Sequence, residues 1–256
     1  MRIVPNRPIK VKNAVLGGER PLVCVPLVGQ NKDSVMSEVG KIANVAADII
    51  ELRVDAWDCI EDVGESVSRV SEVRRLAGDV PIILTCRGHW EGGFKEVSEE
   101  AKDRLYESVL QRGLVDFVDK ELSYGFQKLS ELKQKTAAAG AHLIISYHNF
   151  SETPSKEFIY SQLVSQVRCG ADVPKIAVMP LAEEDVLTLL AATLSFRRDY
   201  PEYPLITMSM AKLGAASRIV GCLFGSDLSF GVGSQASAPG QMPVNELNTA
   251  LNILLG

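Results

Sequence analysis

The chain has 256 residues, 46% hydrophobic and 23% charged, with a formal net charge of −5 and a pI near 5.4. These are the proportions of a globular domain with a large core, and without a basic cluster they speak against nucleic acid as a partner. Five scattered cysteines (Cys24, Cys59, Cys86, Cys169 and Cys222) form no CxxC pair, so no metal or disulfide framework is expected, and a reducing, cytoplasmic compartment is.

The basic N-terminus, "MRIVPNRPIKVKNAVLGGERP", lacks the apolar segment of a signal peptide, and no apolar run is long enough to span a membrane. "LVCVPLV" at 22–28 reads as the first strand, followed by a helix carrying Val35, Val39, Ile42 and Val45 or Ala46. "DIIELRV" at 48–54 is the second strand, and Val63, Val67, Val70, Val73 and Leu76 mark a helix closed by Gly78. "VPIILTC" at 80–86 precedes a helix capped by Ser98, with Glu99 and Glu100 in its first turn and a stop at Gly113. "LVDFVD" at 114–119 leads to a helix through Phe126, Leu129 and Leu132 that stops near Gly140. "HLIISY" at 142–147 leads to one with Thr153 as cap, Pro154 at its first position and Gly170 at its end. "KIAVMP" at 175–180, "PLITMSM" at 204–210 and "LSFGV" at 228–232 complete the strands, each followed by a helical pattern.

Several of these strands are nearly continuous in apolar character, as strands buried on both faces are. Eight strand–helix units predict an α/β fold, a (β/α)8 TIM barrel forming one domain over residues 1–256. An open doubly wound sheet would carry a glycine-rich phosphate loop after its first strand, and "LVGQNKDS" is not one. The residues before the first strand fit no such unit and are expected to form a hairpin closing the bottom of the barrel.

Barrel chemistry collects at the C-terminal ends of the strands. That rule gathers Glu51 and Arg53, then Arg87, His89 and Glu91, then Asp119 and Glu121, then His148, Lys175, Met208, Met210 and Arg218, and last the loop "QASAPGQ". Lys175 heads the run "KIAVMP", and period two places it with Ala177 and Met179, opposite Ile176 and Val178. On its own residues it is either a snorkelling lysine at a strand end or an inward amine. In the second case desolvation and the field of Arg53, Arg87 and Arg218 would lower its pKa and make it a nucleophile toward a carbonyl. His148, ending the adjacent strand, suits general acid–base work if a carboxylate such as Glu91 orients it, although a lone histidine is often structural. Arg218, near a helix start, suits a carboxylate ligand, while for Arg53 and Arg87 an ion pair with Glu51 competes with any binding role.

"ELRVD", "TCRGHWEGG", "SYHNF", "PKIAVMP", "TMSMAKLGAASR" and "QASAPGQ", in this order, resemble the type I 3-dehydroquinate dehydratases of the shikimate pathway. The resemblance implies that Lys175 forms an imine with the ketone of 3-dehydroquinate, that His148 is the general base and acid, and that Glu91 bonds that histidine. It further implies that Arg218 binds the substrate carboxylate, that Glu51, Arg53, Arg87, Ser237 and Gln241 contact hydroxyls, and that Met208, Met210, Phe230 and Ala238 form an apolar lining. A syn elimination without metal or cofactor, and a cytoplasmic homodimer, are implied as well. Pro26 stands where some members have a serine, and Trp90 where some have a lysine. A class I Schiff-base aldolase of the same fold is the alternative reading, and a catalytically silent acid-binding barrel a more distant one.

Overall fold

The computed structural model describes residues 2–42, 45–233 and 235–256. The opening hairpin pairs β1 (Ile9–Val11) with β2 (Ala14–Leu16), antiparallel, Ile9 facing Leu16. Eight parallel strands follow: β3 (Leu22–Leu27), β4 (Ile49–Arg53), β5 (Ile82–Thr85), β6 (Phe117–Glu121), β7 (His142–Asn149), β8 (Val173–Val178), β9 (Ile206–Ser209) and β10 (Leu228–Val232). They alternate with α1 (Lys32–Ile42), α2 (Val63–Ala77), α3 (Glu99–Gln111), α4 (Phe126–Ala138), α5 (Lys156–Arg168), α6 (Glu183–Asp199), α7 (Ala215–Phe224) and α8 (Val244–Leu255). A two-residue strand, β11 (Met242–Pro243), pairs with β10 just before α8.

The ladder runs continuously from β10 through β3 to β9. Between β9 and β10 the ring closes differently. The Asp227 N–H donates to the Leu205 carbonyl at 2.7 Å, and the Ser226 hydroxyl accepts from the Thr207 N–H at 3.1 Å. The expected barrel and its bottom hairpin are both present.

Period two sorts the strand residues into two shells. Val23, Val25, Ile50, Leu52, Ile82, Leu84, Leu143 and Ile145 face outward into a core shared with the helices. Leu22, Ile49, Ile83, Phe117, Ile144, Val173, Ile206 and Leu228, at or near the strand starts, face inward and pack with Ala14 and Leu16 of the hairpin. The hairpin thus plugs the N-terminal end with aliphatic side chains. The layers above are progressively polar, with Glu51, Thr85, Asp119, Ser146 and Lys175 buried at the same parity.

Two local expectations need correction. Thr153 does not cap α5. Its hydroxyl donates to the Met179 carbonyl at 2.9 Å, tying the loop to the end of β8, and Ser155 caps the helix by accepting from the Phe158 N–H at 3.2 Å. Lys175 does not head its strand. β8 begins at Val173, so Lys175 is its third residue, in mid-barrel. Proline removes a ladder donor at Pro174. The Gln166 side chain from α5 holds the next residue, accepting from the Lys175 N–H at 2.9 Å and donating to its carbonyl at 3.0 Å.

Candidate active site

Glu51, Arg53, Arg87, Glu91, His148, Lys175, Met208, Met210, Phe230, Ser237, Ala238 and Gln241 all line one cavity of about 440 Å³ at the C-terminal mouth of the barrel. Every one of them was named from the sequence. Gly92, Phe150 and Ala177 complete the wall.

Lys175 is 4% exposed and points inward, as its parity predicts. Its Nζ lies 2.7 Å from Asp119 Oδ2, 3.5 Å from Glu51 Oε1 and 4.8 Å from the Phe230 ring centroid. The field expected from the arginines is therefore not the one the amine meets. Its nearest charges are carboxylates, and the closest arginine is already paired. Arg87 Nη2 sits 2.8 Å from Asp119 Oδ1, and its Nη1 donates to Glu121 at 2.8 Å. Burial alone would raise the Asp119 carboxyl. The positive charges of Arg87 and then Lys175 outweigh it and hold Asp119 well below the usual carboxylate range. The Thr85 hydroxyl donates to Glu51 Oε1 at 2.9 Å, which steadies the second carboxylate.

His148 is anchored twice by one oxygen. Glu91 Oε2 accepts from the His148 backbone N–H at 2.9 Å and meets Nδ1 at 3.0 Å. With Nδ1 so engaged, Nε2 is the ring nitrogen left to exchange a proton with a ligand. Burial, then the charges of Arg87 and Lys175, push His148 well below its ordinary value, so the imidazole is neutral near pH 7. Burial also pushes Glu91 up to about 7, against the opposing pull of Arg87. Glu91 reaches this place because the chain after β5 turns tightly. Gly92 takes φ 83°, and its N–H donates to the His89 carbonyl. A side chain there would also strike the Phe150 ring.

Arg53 does not pair with Glu51 as the sequence suggested. Its guanidinium grips Asp55 with two bonds, at 3.0 and 2.8 Å, and reaches the Gly92 carbonyl at 3.2 Å. The other oxygen-bearing side chains of the mouth close on each other. The Ser237 N–H donates to Gln241 Oε1 at 2.9 Å, and Gln241 Nε2 donates to Ser237 Oγ at 3.0 Å.

His89, Asp119 and Glu121 do not line the main cavity, and of the residues expected to bind or transform a substrate only Arg218 lies outside it. It lines a smaller one of about 200 Å³ behind the Met208 wall, with Thr207 and Ser226. Its Nη1 approaches Met208 Sδ at 3.8 Å, and its Nη2 donates to the Pro239 carbonyl at 3.1 Å. Among the described residues it has no carboxylate partner, its Nε is buried without a hydrogen bond, and burial pushes its pKa down to about 10. A buried, unpaired guanidinium is costly, and a ligand anion would relieve that cost.

Asp119, to which the sequence assigns no role, is the carboxylate that the structure sets on the Lys175 amine. It was placed among the strand ends, and the parity of β6, which turns Phe117, Asp119 and Glu121 inward together, was the signal available. Ser146 was missed altogether. Its hydroxyl donates to Asp119 Oδ1 and accepts from Arg87 Nη1, both at 2.6 Å.

Comparison with known proteins agrees with this geometry. The family model described as type I 3-dehydroquinase matches residues 23–256. The chain is 42% identical over 248 residues to a 3-dehydroquinate dehydratase of Geobacillus thermodenitrificans, covering 96% of each chain. It also superimposes on the type I 3-dehydroquinate dehydratase of Clostridium difficile, solved with covalently modified comenic acid. The TM-score is 0.93 at 41% identity, over 97% of this chain and 98% of that one. The 3-dehydroquinate dehydratase of Geobacillus kaustophilus gives a TM-score of 0.95 at 39% identity, over 99% and 98%. With a family match from the first barrel strand, β3, to the last residue and relatives of nearly equal length, this chain belongs to the type I 3-dehydroquinase family.

Proposed function

We infer that this protein removes water from 3-dehydroquinate to give 3-dehydroshikimate, a step of the shikimate route to aromatic compounds. The observation that carries the reading is a buried lysine amine and a histidine–carboxylate pair facing one cavity from adjacent strands, with His148 opposite Ala177, two residues beyond Lys175. The amine attacks the C3 ketone and loses water to form an iminium. That cation withdraws electrons from C2 far better than a ketone does, so the C2 proton leaves at lower cost. His148, neutral and aligned by Glu91, takes it. As imidazolium it returns a proton to the departing C1 hydroxyl, which makes the elimination syn. Water then frees the product from Lys175.

Arg218, a buried cation without an acidic partner among the described residues, is the proposed seat of the substrate carboxylate, reached by movement of the Met208 wall or of the Pro239 loop it holds. Glu51, Arg53, Arg87, Ser237 and Gln241 are the proposed hydroxyl contacts, and Met208, Met210, Phe230 and Ala238 the apolar walls. The whole chain acts as one catalytic barrel, working as a cytoplasmic homodimer. None of the described helices is long and apolar enough to cross a membrane.

Borohydride reduction in the presence of 3-dehydroquinate, followed by peptide mass mapping, tests the reading. A stable adduct on Lys175 is expected. No adduct, or one on another lysine, overturns it. Retro-aldol cleavage of sugar phosphates without dehydroquinate turnover would favour the aldolase reading instead.

A further inference from the structure

Between the resting ammonium and the iminium, the Lys175 nitrogen changes its bonding but not its net charge, although the amine that attacks and the enamine left when C2 loses its proton are neutral at nitrogen. An ammonium and a ketone combine to give an iminium and one water. One ammonium proton is given up so that the neutral amine can form the C–N bond, a second leaves the carbinolamine nitrogen, the carbonyl oxygen departs with two protons as water, and the nitrogen ends with one hydrogen and the positive charge it began with. A carboxylate set beside Nζ before the reaction is therefore equally well placed afterwards, with no reorganisation.

Asp119 is set in that way. It is fully buried on β6, two strands from β8, and meets Lys175 across Ser146 of β7, which is directly opposite Lys175 in the ladder. Its two oxygens divide their work. Oδ1 is taken by the Ser146 hydroxyl at 2.6 Å and by Arg87 at 2.8 Å, while Oδ2 is turned to Nζ at 2.7 Å. Glu51, the other carboxylate on the amine, is farther away at 3.5 Å, shares the same oxygen with Thr85, and lines the substrate cavity. Among the described residues, the other titratable groups facing this pair include His148 from β7, the Cys24 thiol from β3 and, on the far oxygen of Asp119, the Arg87 guanidinium from just past β5.

We propose that Asp119 is a further catalytic residue, the fixed counter-charge that keeps the Lys175 imine protonated so that the cationic form faces His148. Arg87 and Lys175 hold Asp119 ionised far below neutrality, so it acts as a counter-ion and not as a proton acceptor. The inference rests on the Schiff-base reading above and extends it to a residue that touches no substrate atom other than through the shared nitrogen.

The variant Asp119→Asn keeps size and hydrogen-bonding reach and removes the charge. Its kcat is expected to fall at least about 10-fold with KM within about 3-fold of wild type. The alkaline limb of the kcat–pH profile is expected to move down by about 1 pH unit, because an opposite charge at this range shifts a cation by about 1–3 units. Asp119→Glu should restore part of that shift, which a merely structural role would not predict. A wild-type kcat and an unmoved alkaline limb in Asp119→Asn overturn the proposal. If that variant does not fold, the wild-type enzyme decides the matter. Borohydride trapping on Lys175 that persists into alkaline solution supports the counter-charge, and trapping that dies away around neutrality refutes it. Failure of the wild-type enzyme to trap dehydroquinate on Lys175 at any pH removes the underlying reading. Normal trapping together with an unaltered Asp119→Asn removes this inference alone.

Discussion

Replacing Glu91 with glutamine keeps the shape of the histidine pair and removes its charge. In the protein, Glu91 Oε2 accepts from both the His148 N–H, at 2.9 Å, and Nδ1, at 3.0 Å. A glutamine carbonyl in the same place still accepts both. The loss is the difference between a charge-assisted and a neutral bond, about 1–2 kcal/mol. That difference is felt most when His148 becomes an imidazolium, so kcat should fall about 5–30-fold with little change in KM. The pH profile gives a second reading. Burial pushes Glu91 up to about 7, and the titration belongs to the pair it forms with His148. Below that pH the carboxylate is protonated and the imidazolium loses its partner. By pH 6 only about one-tenth of the molecules keep the charged pair, so wild-type kcat/KM should decline through an acid limb near 7. In Glu91→Gln that limb should vanish. The assay is steady-state kinetics from pH 5 to 9, following the ultraviolet absorbance of the conjugated enone product. A variant with wild-type kcat and an unchanged acid limb refutes the role given to this bond. Glu91→Ala should be more damaging, because it also strips the buried His148 N–H of its acceptor, at about 1–3 kcal/mol.

Three further outcomes are expected. Lys175→Ala should abolish both the borohydride adduct and turnover, whereas His148→Ala should still trap substrate on Lys175 while turning over at least about 100-fold more slowly; near-normal turnover would remove His148 from the base role. Arg218→Ala should raise KM about 10–100-fold, the worth of a charge-assisted bond to a carboxylate, and an unchanged KM in steady-state assays would count against carboxylate binding there. Away from the chemistry, Asp227 sits fully buried between Arg2 and Arg197 and accepts from the Leu205 N–H at 2.8 Å. Asp227→Ala strands two buried guanidinium groups and should cost about 3–5 kcal/mol, read as a fall in the urea midpoint; an unmoved midpoint would show that this network contributes little.

The eight strands, the outer helices, the bottom hairpin and the Ser98 cap were legible in the chain because each depends on neighbours a few residues away. The inward aim of Lys175 was legible for the same reason, since alternation along a strand is a local property. Whereas Phe230, Ser237, Ala238 and Gln241 were expected from the family resemblance, the strand-end members of the mouth were legible because a parallel barrel presents its strand ends on one side. Charge partners were not. Lys175 finds Asp119 56 residues away, and Arg87 reaches Ser146 59 residues away. Arg53 turns to Asp55 in preference to Glu51, although both lie two residues from it. The position of Arg218 behind the Met208 wall was equally invisible. Which carboxylate meets which cation depends on the curl of the sheet, which brings β4, β6 and β8 to a common axis, and on the short Ser146 side chain that leaves room between Asp119 and Lys175. Periodicity along the chain thus set the direction of each side chain, while closure of the barrel chose its partner, because electrostatic pairing depends on distance through space and not on separation along the sequence.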